Sequence, residues 1–157
     1  MKISIRKGFG FGLTSGIITT LGLIMGLHSS THSSSVIIGG ILVIAIADAM
    51  SDALGMHISE ECEHQRSTQE IWESTIATFL SKFIFALTFL VPMLTLPLST
   101  AIIISIIWGL SLISIFSYYI AKKQCASPYH VVLEHLVIAV FVIAATHYVG
   151  DWIASFC

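Results

Sequence analysis

The stretch VIIGGILVIAIADAMSDALGMHIS, residues 36–59, decides the fold. Its length and apolar character match the roughly 20 residues that a helix needs to cross a bilayer. Its second half breaks the pattern, because Asp48 and Asp52 interrupt the apolar run and Glu60 follows it. Asp48, Asp52, Met56 and Glu60 each stand one helical turn apart, so they form a ridge along one face. At the helical rise, Asp52 lies roughly 10 Å and Asp48 roughly 16 Å from the end near Ser59, which puts Asp48 near mid-membrane. An aspartate there costs about 2.5–3.5 kcal/mol even on the lenient insertion scale. Two of them need a bound cation, a proton, a basic partner or a water-filled cavity.

Outward from this stretch the same apolar character recurs. Further spans are expected at about 8–27, 74–96, 99–121 and 130–153, with Pro97 opening a short turn between the third and fourth. The chain of 157 residues is 55% hydrophobic and only 10% charged, against roughly 25% charged in an ordinary soluble domain. We therefore expect an all-α, polytopic membrane protein, with residues 1–157 forming one five-span domain. The apolar run after Lys2, Arg6 and Lys7 lacks a small-residue cleavage site, so it is expected to be a retained span. Lys2, Arg6, Lys7, Arg66, Lys122 and Lys123 all fall on one side of this topology, which predicts a cytoplasmic N-terminus and an outer C-terminus. No basic stripe exists to track phosphates, and no nucleic-acid partner is expected. Cys62, Cys125 and Cys157 are too scattered for a disulfide framework or a zinc site.

Small residues mark the first span. Gly12 and Gly16, then Gly22 and Gly26, have the spacing that lets helix backbones approach closely in lipid. Packing within the chain and a homodimer seam both fit. Lys82, the one cation inside a span, can neutralise one aspartate but not both, or it can snorkel to the interface. Glu60, Glu61, Glu63 and His64, with Glu70 and Glu73 beyond, are either an acidic vestibule collecting cations or a solvated loop. His28 with His32, and His147 with Asp151, are candidates for the outer mouth. Glu134 and His135 are weaker candidates. Carboxylates beside the Met56 thioether suit a borderline transition metal such as Fe²⁺ or Mn²⁺. Neither a His-Glu-x-x-His helix nor a Gly-x-Ser-x-Gly elbow is present, so no enzyme is expected.

Gly12-Leu13-Thr14-Ser15-Gly16-Ile17-Ile18-Thr19-Thr20, with Ala47-Asp48 and Ser51 through Ser59, resembles the vacuolar iron transporter family. The resemblance implies a five-span homodimer that exports Fe²⁺ or Mn²⁺ from the cytosol against protons, with no permanently bound cofactor. It implies metal binding by Asp48, Asp52 and Met56, with Ser15 a weak oxygen ligand across from them. The family usually has an acid where Ser15 stands. It usually reads Ser-Met-x-x-Gly-Glu-Tyr where this chain has Ser51-Asp52-Ala53-Leu54-Gly55-Met56-His57, so acid and thioether have changed places. Only Glu60 to Glu70 fills the gap where plant and yeast-like members insert a metal-binding domain. The chain thus looks like a minimal member of a prokaryotic cell membrane. The competing expectation is a non-transporting assembly or metal-sensing protein with a structural Asp–Lys pair.

Overall fold

A computed structural model describes residues 2–63, 66–123 and 127–156. Backbone polar groups in hydrocarbon must be satisfied within their own segment, and these apolar segments accordingly form helices. They are α1 (Ile3–Thr31), α2 (Ser34–Glu61), α3 (Thr68–Thr88), α4 (Leu90–Thr95), α5 (Leu98–Lys123) and α6 (Pro128–Ala154). α3 and α4 together make one span, so among the described residues five helical spans are long and apolar enough to cross a membrane. The fold is that of a multi-pass membrane protein.

Four of the five spans outrun their apolar windows at both ends, and the third does so at its start, for reasons written in the polar flanks. The expected loop His28–Ser35 shrinks to His32 and Ser33. Ser29, Ser30 and Thr31 turn their hydroxyls back onto the carbonyls of Met25, Gly26 and Leu27 at 2.7–2.8 Å, which keeps polar residues inside the helix. α1 then stops at His32, whose left-handed φ of 52° brings its N–H onto the His28 carbonyl. α3 begins well before the expected residue 74, because Ser67 and Glu70 form a reciprocal capping box. The third span keeps its course but loses hydrogen bonds midway. Pro92 has no N–H to give the Thr88 carbonyl, so the ladder lapses near Phe89, whose backbone stays helical with φ −73° and ψ −14°.

α1 is the central helix and touches α2, α3, α5 and α6. Its glycines are spent within the chain. Gly8 lies on the Ser74 backbone, Gly12 on Thr78 and Ser81, and Gly16 on Lys82, while Gly22 and Gly26 lie against Val142 and Thr146 of α6. Of the two readings of this spacing, the structure shows intramolecular packing at Gly12, Gly16, Gly22 and Gly26. A Cβ at Gly12 would overlap the Thr78 carbonyl and the Ser81 hydroxyl. Gly12→Ala is therefore expected to lower stability by about 1–3 kcal/mol, the usual range for overpacking. Unfolding in mixed micelles followed by circular dichroism measures this, and an unchanged midpoint would contradict the seam.

Candidate intramembrane cation site

Three helices meet at the middle of the bundle. α2 turns Ala45, Ala49 and Ala53 inward, and all three are buried. Such small side chains bring the α2 backbone close to its neighbours and leave the short Asp48 and Asp52 side chains within reach of them. α3 contributes Lys82, near the midpoint of the span Thr68–Thr95 and only 1% exposed. α1 contributes Ser15 and, next to it, Gly16. The Lys82 stem crosses α1 at this glycine, where an added Cβ would come within 3.1 Å of the Lys82 Cγ.

The Lys82 ammonium is shared. Its Nζ lies 2.6 Å from Asp48 Oδ2 and 2.5 Å from Asp52 Oδ2. It donates to Ser15 Oγ at 3.0 Å, and Ser15 in turn donates to Asp52 Oδ2 at 2.6 Å. Two of these contacts are hydrogen bonds, to Ser15 and Asp52, while Asp48 is held as an ion pair. Lys82 contacts both aspartates although its single charge can neutralise only one, and of the two expected placements it does not take the snorkelling one, because the whole side chain lies under α1 and α2. With both carboxylates ionised the cluster retains one net negative charge. The two carboxylates are not sealed, since their side chains are 32% and 21% exposed. Met56 is buried one turn beyond Asp52 on α2.

Toward the end of the bundle that carries Lys2, Lys7 and Arg66, the acids are tied to cations. Glu60 is fully buried, with its oxygens 2.5 Å from Lys7 and 3.3 Å from Arg66. Glu63 is exposed and bonds Lys7 at 2.9 Å and Arg66 at 2.8 Å. The Lys7 and Arg66 bonds hold Glu63 below the usual carboxylate range. Its small contribution to stability is therefore present at neutral pH and lost as pH falls through that lowered value. Glu73 is bonded by Ser4 at 2.7 Å and by Lys2 at 2.5 Å, and Glu61 lies 3.5 Å from His57. His64 lies outside the described residues, as do Cys125 and Cys157. Glu60, Glu63 and Glu73 thus belong to an ion-pair network that fastens α1 to α3 and the α2–α3 connection, while Glu61 stays exposed.

At the opposite end the four expected residues form two pairs. The His28 and His32 rings lie 5.2 Å apart, and His147 lies 3.4 Å from Asp151. The single Ser29 hydroxyl proton is shared between the Met25 carbonyl and the His147 carbonyl at 3.0 Å, which draws the ends of α1 and α6 together. Glu134 is exposed, and His135 is bonded to Ser117 at 2.7 Å. Among the described residues, no three His, Cys, Asp or Glu side chains stand close enough to cage a metal ion.

Sequence reasoning missed how Lys82 reaches both acids. The signal was present in two places. Ser74, Thr78, Ser81 and Lys82 make a polar face at helical spacing on α3, and Gly8, Gly12 and Gly16 make the small face that matches it. The chain matches no protein-family model and no curated protein sequence.

Proposed function

We propose that the chain is a transporter of a divalent transition-metal ion, Fe²⁺ or Mn²⁺, out of the cytosol of a prokaryotic cell, exchanged for protons and working as a homodimer. One observation carries this reading. The cluster holds one carboxylate more than Lys82 neutralises, near mid-membrane and partly open. A structural ion pair needs one aspartate, and a second at that depth is retained at a cost unless it is used. A metal ion would take the position of the ammonium between Asp48 and Asp52, with Ser15 and Met56 as the neutral ligands at hand. The resemblance of Gly12–Thr20 and Asp48–Ser59 to the vacuolar iron transporter family supports the same cargo and the exchange for protons.

The dimer has separate support in α2. Gly39, Val43, Ala47, Ser51 and Gly55 stand one turn apart on its exposed face, and an added Cβ at Gly39 or Gly55 meets nothing within 4 Å. A second protomer packed on this face would cover the open side of the aspartates and wall a path between the two copies.

The other reading is a non-transporting membrane protein held together by the Asp48–Lys82–Asp52 cluster. The buried ammonium favours it, because Lys82 is already ion-paired to both aspartates and hydrogen-bonded to Asp52 and Ser15. Reconstitution separates the two. Transport predicts Mn²⁺ or Fe²⁺ uptake above that of empty vesicles, accelerated by an opposing pH gradient. Uptake equal to that of empty vesicles, from protein that is folded, would leave only the structural role.

A further inference from the structure

A groove of about 510 Å³ opens between α1, α5 and α6 at the cation-bearing end of the bundle. Small residues pull α1 and α6 together at the other end, where Gly150 lies against Ser29 and Gly26. Here bulk holds α1 and α5 apart, with the rings of Phe9 and Phe116 meeting edge to face at 5.9 Å. The walls are apolar, made by Phe9, Phe116 and Ile120, and the mouth carries Arg6, Lys7 and Lys123.

The charges at that mouth are unequal. Lys7 is committed to Glu60 and Glu63. Arg6 and Lys123 pair with no carboxylate among the described residues. Lys123 sits 4.7 Å over the Tyr119 ring, which fixes the ammonium beside the groove. A cation entering here would be repelled, so the groove is no part of a metal path. An anion fits the mouth, but a small soluble anion would leave the phenylalanine walls uncovered. Arg6 stands in the first turn of α1 and Lys123 is the last residue of α5, a level at which lipid headgroups lie when the bundle spans a bilayer.

We propose that this groove binds one anionic phospholipid, with its phosphate between Arg6 and Lys123 and an acyl chain along Phe9, Phe116 and Ile120. Basic pockets between helices at the cytoplasmic side recognise such headgroups by the same combination of charge and depth. The site is independent of the cluster at Lys82, so it stands whatever that cluster does. It makes α1 and α5 the lipid-clasping pair, with His135 of α6 at the edge of the groove.

The test is native mass spectrometry of the full chain in neutral detergent with equal phosphatidylglycerol and phosphatidylcholine. The wild type should retain phosphatidylglycerol in preference, and Arg6→Gln with Lys123→Gln should reduce that preference roughly thirtyfold. Lys122→Gln removes a neighbouring exposed cation that does not line the groove, and should leave it unchanged. Excess inorganic phosphate should not displace the lipid. No preference in the wild type, an equal loss with Lys122→Gln, or displacement by phosphate would each overturn the proposal. If the double variant fails to fold, wild-type protein and phosphatidylglycerol with a photoreactive acyl chain give the answer. Labels should concentrate on the Phe9 and Phe116–Ile120 segments, and labels spread evenly over all helices would overturn the site.

Discussion

Lys82→Met should destabilise the folded protein by about 3–5 kcal/mol, the range seen when one partner of a buried ion pair is removed. The substitution keeps much of the stem that crosses α1 at Gly16, so packing changes little and charge changes most. What remains is two carboxylates one turn apart near mid-membrane, with only the Ser15 hydroxyl to bond them. Adding Asp52→Asn removes one of those charges and should restore part of the loss. Unfolding midpoints of the two single variants and the double variant in mixed micelles measure the coupling directly. A single-variant loss well under 1 kcal/mol, or strict additivity in the double variant, would show that Lys82 is not the charge partner of the aspartates.

Asp52→Asn should reduce metal flux in proteoliposomes by more than about tenfold, the lower end of the effect of losing a group that orients a metal ligand. Asp52 is the central acid of the cluster, because it alone takes both the Lys82 ammonium and the Ser15 hydroxyl. Asp48→Asn should also impair flux, although Asp48 is the more open of the two and lacks the serine contact. Ser15→Ala should have the smallest effect of the three, since it removes a neutral ligand. Flux that survives both asparagine variants would place the path elsewhere in the bundle.

The sequence made the number of spans legible, because lipid imposes a minimum apolar length that each of the five meets on its own. It left the helix ends obscure. Ser29, Ser30 and Thr31 look like a loop in one dimension and become helix only when their hydroxyls return to the preceding turn. Ser67 and Glu70 look like part of an acidic stretch until their mutual cap is seen. Pro92 is visible in the sequence, yet within an apolar run the lapse it causes is easily passed over. The glycine spacing on α1 showed that something packs closely there, but spacing carries no information about which helix arrives. That partner is α3 for Gly8, Gly12 and Gly16, and α6 for Gly22 and Gly26.

The candidate site was legible in part for the same reason. Asp48 and Asp52 stood out by depth alone, and Ser15 entered through the resemblance. Lys82 was visible as the one intramembrane cation, but its ability to serve both acids depends on Gly16 and on the alanine face of α2. Neither of those looks functional in a linear reading. The acids from Glu60 to Glu73 were the least legible, because their partners Lys2, Lys7 and Ser4 lie far away in the chain, at the start of α1.

Anomalous diffraction from crystals of the reconstituted protein soaked in Mn²⁺ tests the central claim most directly. The account predicts a peak bridging the Asp48 and Asp52 carboxylates, with the Lys82 ammonium moved off the line between them. Carboxylates still bridged by Lys82, with no peak beside them at a saturating Mn²⁺ concentration, would contradict it.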